Sequence, residues 1–541
     1  MSGATHRMLQ SDQSRVDRLA TWFADRCSPI LVKEARQAMK SWHFQWTFLL
    51  LLLAVVGWSF LGISTALYDS REESGGMLMA GYMFILGFPL GVVLPLASFR
   101  SLAREFDDET IQLLSITTLS ARRIVLGKLG SAALQMIVYL SAVVPCVAFS
   151  YLLRGIDLTQ IAMLLMLATV GSMSLCCLGL MLAGFSRLKW LAIMLNLGLM
   201  ALLGFVFFGW CSFNASFQFM GASRDVFFGS TVFLAIFGGT GYVAFECATS
   251  LISFPSEDRS SRVRAAISLQ VFLVVAAFTG FIFGLEGPMY EILLYGYPTC
   301  LAHYYCLVGA MMVSEQPGLS QRVRRGLPQT LLGRLAWGLY VPGPGRGYLY
   351  ALSAIWCWNL GIYLLLNSGY ISVSRISMVG VPNIALISDY YEFLPLIVNV
   401  VFATAYLSFV YLFMLVFGRW IKYGRVLAGV LLLVVAYACM AIACTTIDAF
   451  MFWDRGYSYE WNGVAQLWNW PYVLTRIGRY GDDFVGTVMI QSILALMLAS
   501  GCCWLALREW VVKPTLVPQR VQEESKRRDL AQVAHTEPTS A

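Results

Sequence analysis

The stretch "REFDDETIQLLSITTLSARRIVLGK", residues 104–128, is charged at both ends and largely apolar between them. It lies between two apolar runs, 77–98 and 129–152. Each run is long enough to cross about 30 Å of hydrocarbon as a helix. The charged stretch is therefore a connection between two spans, and its own pattern carries more. Asp107, Asp108 and Glu109 precede Ile111, Leu113, Leu114 and Ile116. Acidic side chains favour the positive end of a helix, and Ile111 and Leu114 share a face at i,i+3 spacing. Ser120 is a good N-cap for a further helix that begins at Arg122–Arg123 and runs through Lys128 into the next span. The expectation is a short surface helix, a turn, and a basic anchor at the lipid boundary. Two readings stay open: a helix that docks on a partner or on the bilayer, and a basic loop with no further role.

The same alternation fills the chain. Only 13% of the 541 residues are charged while 58% are hydrophobic, and the mean hydropathy is +0.67. A water-soluble fold of this size needs more polar surface, so the composition predicts an all-α, polytopic transmembrane bundle. Runs of spanning length recur about twelve times: 46–67, 77–98, 129–152, 159–184, 191–213, 227–254, 265–285, 289–313, 348–372, 390–417, 426–447 and 484–507. With the N-terminus inside, the inner segments hold 31 of the 38 Lys and Arg, which predicts cytoplasmic termini at both ends. The formal charge of +7 then belongs to the inner membrane face, where anionic headgroups attract it, and no nucleic-acid module is present. The polar N-terminal arm, residues 1–27, has no apolar signal core, so the first span is expected to direct insertion. The thirteen cysteines form no CxxC pair, and most lie in apolar runs as small hydrophobes.

Ahead of the first span stands "SPILVKEARQAMKSWHFQW", residues 28–46. Ser28 suits an N-cap and Pro29 the first helical position. Leu31, Ala35, Met39 and Trp42 fall on one face, while Lys33, Glu34, Arg36, Gln37 and Lys40 face away, the pattern of an interfacial amphipathic helix.

These two elements together resemble the permease subunit of type-2 ABC transporters. That family opens with a cytoplasmic elbow helix, often a Pro followed by a Lys-Glu-x-Arg core, matched here by Pro29, Lys33, Glu34 and Arg36. Between spans two and three it carries an acidic loop ending in Leu-Leu, then a Ser-containing turn and a Gly-Lys. The matching positions are Arg104, Glu105, Thr110, Leu113, Leu114, Ser120, Gly127 and Lys128. Glu109 stands where the family has Gly, and "ITTLS" lacks the usual Pro. The resemblance covers residues 28–260 and is closest to multi-span bacterial permeases. It implies an exporter-type transport subunit of the bacterial inner membrane, not an enzyme. The loop residues Arg104, Glu105, Asp107, Asp108, Thr110, Leu113 and Leu114 would contact a separate ABC-type ATPase, which would carry the ATP and Mg. No G-x-x-x-x-G-K-[ST] phosphate loop occurs in this chain, so hydrolysis is expected on another polypeptide.

Residues 261–507 repeat the topology as a second six-span unit, followed by a polar tail, 508–541. The inner loop 314–348 sets five Arg against Glu315 and lacks the acidic-apolar pattern, so a degenerate second contact surface and a plain solvated loop both stay open. In the outer loop 448–483, Trp453, Trp461, Trp468 and Trp470 predict an aromatic belt at the interface, with a substrate-exit lid as the other reading. The four His are scattered and no catalytic or metal-ligating constellation is visible. Glu246 is an acidic residue placed well inside a span, 227–254. It is either a translocation-path contact or a boundary residue paired with Arg259 or Arg262. An ion-driven secondary transporter and a non-transporting membrane scaffold are the competing classes. Because only the first half carries both elbow and acidic loop, two copies of the chain are expected in the assembly.

Overall fold

Inside hydrocarbon every backbone N–H and C=O must find its partner within the segment, which leaves helices as the element available to this sequence. The computed structural model describes residues 29–68, 74–108, 120–152, 156–186, 189–219, 224–254, 257–284, 289–316, 337–367, 394–421, 424–451 and 482–510, with positions 323, 330, 333, 469, 470 and 473. The regular structure among them is all helical, and ten of the helices are long and apolar enough to cross a membrane. The chain forms a polytopic helical bundle in two compact units.

The first unit opens with α1 (Pro29–Met39) and α2 (Trp42–Tyr68). The bend between them is built by Ser41. Its hydroxyl donates to the carbonyl of Ala38 at 2.7 Å and accepts the Phe44 amide at 3.3 Å, closing one helix and capping the next. This break puts Trp42 on α2, 68% exposed, and takes it out of the expected apolar face of the elbow. The second span is α3 (Ser74–Phe88), a π-helical turn (Pro89–Val93) and α4 (Leu94–Asp107). Pro89 has no amide to donate, and such one-turn π segments are a recognised way for a helix to absorb a break. The Leu90 carbonyl accepts the Ser172 hydroxyl at 2.7 Å from a neighbouring span.

Then follow α5 (Ala121–Leu152), α6 (Leu158–Ala183), α7 (Lys189–Phe219), α8 (Arg224–Ile252) and α9 (Ser261–Gly284). The core sits on α6, where 56% of the apolar window is buried, against 11% for the outlying α7. Lipid gives no hydrophobic drive between helices, so polar contacts and close backbone approach hold them. Thr47 and Tyr139 share a hydrogen bond of 2.7 Å, as do Ser59 and Tyr82, and Asn214 donates to the Ala80 carbonyl at 2.9 Å. Helix α9 was expected to open the second half, beyond a boundary at 260. It belongs to the first unit, which extends to Glu286. Gly239 lets it in: a Cβ there would stand 2.6 Å from Gln270 Cγ, and Gln270 donates to Thr240 Oγ1 at 2.9 Å.

The second unit holds α10 (Met289–Val313), α11 (Pro344–Asn367), α12 (Leu394–Phe417), α13 (Arg425–Met451) and α14 (Asp482–Trp510). Helix α12 is its centre, with 67% of its apolar window buried. Of the twelve expected runs, 289–313 and 348–372 fall on α10 and α11, which are helical but are not among the ten long and apolar enough to span.

Candidate functional site

Helix α4 ends in Ser101, Arg104, Glu105, Asp107 and Asp108, and α5 begins directly after Ser120, whose carbonyl accepts the amides of Arg123 and Ile124. Ser101 and Glu105 are four apart and share a face. Across from them, Lys128 sits two turns into α5. Its ammonium lies 2.8 Å from Glu105 Oε1, 2.8 Å from Ser101 Oγ and 3.3 Å from Glu34 Oε1. An ammonium has three donors, and three acceptors meet it. Ser101 in turn donates to Glu34 Oε2 at 3.4 Å. Lys128 is therefore not an anchor at the lipid boundary; its side chain is 3% exposed, with Glu34 at 13% and Glu105 at 16%. Nor does Glu34 face away from α1's buried side, as the amphipathic pattern implies.

The glycines on α5 explain how α1 comes close enough. A Cβ at Gly127 would stand 2.7 Å from Ile30 Cγ2 and 3.5 Å from the Leu31 amide nitrogen, and one at Gly130 would collide with Leu31 Cδ1. The Gly-Lys pair is thus a packing notch followed by an ionic hub.

The other rim is fastened as well. Glu246 on α8 is 2% exposed, and its Oε1 lies 3.3 Å from Arg122 Nη2 at the start of α5. The Arg122 guanidinium also stands 5.6 Å over the Phe245 ring, and Thr249 Oγ1 lies 3.4 Å from Glu246 Oε2. The expected partners of Glu246, Arg259 or Arg262, give way to an arginine 124 positions earlier in the chain. Arg259 is engaged elsewhere, donating to the Phe254 carbonyl at 3.2 Å and to that of Ser253, where α8 ends. So the segment between α4 and α5 has ion pairs at both ends, Glu105–Lys128–Glu34 on one side and Arg122–Glu246 on the other. Arg104, Asp107 and Asp108 are exposed at its entrance, as are Lys33 and Arg36 on α1. Ser28, Thr110, Leu113 and Leu114 lie outside the described residues.

The Arg122–Glu246 pair is asymmetric, since the arginine side chain is 46% exposed and the glutamate 2%. Removing the arginine strands a buried carboxylate, whereas removing the glutamate leaves an arginine that water reaches. Arg122→Ala is expected to destabilise the unit by about 2–3 kcal/mol and Glu246→Gln by less than about 1 kcal/mol. Unfolding in mixed micelles measures both, and equal losses would contradict the burial argument.

In the second unit the one carboxylate of residues 314–348, Glu315, accepts the Gly343 amide at 2.8 Å, where φ of +139° suits glycine. That contact closes the entry to α11. Trp470 departs from the interfacial belt expected of it. It is 0% exposed, its indole N–H donates to Asn399 Oδ1 at 3.0 Å, and its ring stacks on His303 at 3.9 Å. Asn399 completes the set by donating to Thr299 Oγ1 at 3.0 Å. Trp453, Trp461 and Trp468 lie outside the described residues. No family model, curated protein or solved structure matches the chain.

Proposed function

We propose that this chain is the membrane-spanning permease subunit of an ATP-driven, type-2 ABC exporter. In this reading it crosses a bacterial inner membrane twelve times with both termini in the cytoplasm, and works as two copies beside two ATPase chains that bind ATP and Mg. The chain itself performs no chemistry. Its task is to pass the closing motion of the ATPase into the spans.

The observation that carries the reading is the Glu34–Ser101–Glu105–Lys128 cluster. It joins α1 to both helices that flank the 109–119 segment, so a push on that segment moves three elements together. Burying an ammonium costs several kcal/mol before pairing, and in this reading that cost is met to hold α1, α4 and α5 together as the piece that receives the ATPase. The exposed Asp107 and Asp108 then offer acidic contact to a basic face, while Glu105 works inside as a strut.

The test is recruitment. Asp107→Lys with Asp108→Lys is expected to lower co-purification of the ATPase by about tenfold, as reversal of exposed interface charges does, with membrane insertion unchanged. Normal recruitment by the double variant would overturn the reading.

A further inference from the structure

Within the first unit, the π-turn, α6, α7 and α8 surround a cavity of about 270 Å³. Three glycines shape it. A methyl group added at Gly91, Gly171 or Gly209 would meet no atom within 4 Å. Gly171 is itself buried, so the space it faces is interior. The opposite wall is a run of rings: Trp210 and Phe213 at 6.1 Å, Phe213 and Phe233 at 6.0 Å, and Phe233 stacked on Phe237 at 4.1 Å.

The cavity has little to offer water. The Ser172 hydroxyl donates to the Leu90 carbonyl at 2.7 Å, and the Trp210 indole donates to the Met83 carbonyl at 3.1 Å. Both donors of the wall are committed, and apolar cavities without polar partners stay dry. Left vacant, the ring wall would forfeit its dispersion contacts on one side. Gly209 tells what can enter, for it lines the cavity and is exposed on α7, the helix whose apolar window is 11% buried. The space therefore opens toward the hydrocarbon, where the neighbours are aliphatic chains. A cavity of about 150 Å³ accommodates benzene, so by proportion this one takes roughly ten methylene groups.

We infer that this cavity is a binding site for an aliphatic chain, supplied by a bilayer lipid or by a transported amphiphile. Contact with the ring wall, rather than escape from water, provides the preference over bulk lipid. The site stands independently of any ATPase.

The full chain in phosphatidylcholine nanodiscs, doped with a phospholipid bearing a diazirine at mid-chain, gives the test. After irradiation, adducts are expected to concentrate on the lining residues Phe207, Trp210, Phe213, Phe233 and Phe237. Gly171→Leu should reduce them about tenfold while adducts on the outer face of α2 persist. Gly209→Leu fills the mouth from an exposed position and should do the same even if the interior substitution fails to fold. A chase with a free decyl amphiphile separates the sources: loss of adducts marks an exchanging occupant, and retention a resident lipid. Adducts spread evenly over the lipid-facing helices, and unchanged in both variants, would overturn the site.

Discussion

Lys128→Met is expected to destabilise the first unit by about 3 kcal/mol, the lower end of the cost of removing one member of a buried ion cluster. The lower end applies because Glu34 and Glu105, at 13% and 16% exposure, retain some water. Methionine keeps the length and apolar stem but leaves two carboxylates facing one another beside Ser101. The loss should therefore be mostly repaired by adding Glu34→Gln and Glu105→Gln, which removes the repulsion along with the charge. Unfolding midpoints in mixed micelles give both numbers. A Lys128→Met variant as stable as the parent, with no gain from the neutral triple substitution, would show that the cluster does not fasten α1.

Trp470→Ala should cost the second unit about 3–5 kcal/mol, the usual range for truncating a fully buried indole. The upper part of that range is expected, since the change also takes away the N–H that Asn399 accepts. Trp470→Phe separates the two contributions. It keeps a ring against His303 and Phe402, and should lose only about 1–2 kcal/mol for the missing donor. If alanine costs under about 1 kcal/mol, the indole is not the plug that its burial implies.

Hydropathy made the long helices legible: among the described residues, each of the twelve expected runs falls on a helix of the structure. It left the grouping of the helices unread, because α9 is as apolar as its neighbours and a transfer scale does not record which one it packs on. Contacts such as the close approach at Gly239 and the Gln270–Thr240 hydrogen bond tie it to the first unit. At the candidate site the letters Glu34, Glu105, Gly127 and Lys128 stood out, yet their meeting did not. An amphipathic pattern separates apolar from polar positions, and a glutamate is polar whether it faces water or a lysine. The Gly127 and Gly130 notch was the missed signal, since small residues one turn apart invite a second backbone. Trp470 misled for a related reason: an indole on a loop is amphipathic, and its sequence neighbours do not say whether the N–H will find water or a buried Asn.

The helix from Gly75 to Asp107 holds 33 residues, and at about 1.5 Å per residue it reaches roughly 50 Å, well beyond the about 30 Å of hydrocarbon. A pivot at its π-turn would make α4 a lever. The 14 residues of α4 measure roughly 21 Å, so a tilt of about 10° at the turn carries Asp107 sideways by about 3.5 Å. At Ser101 and Glu105 the same tilt amounts to about 2–3 Å, far more than a hydrogen bond tolerates. The lever cannot swing by itself: either α1 and α5 travel with it as one tripod, or the legs come apart at Lys128.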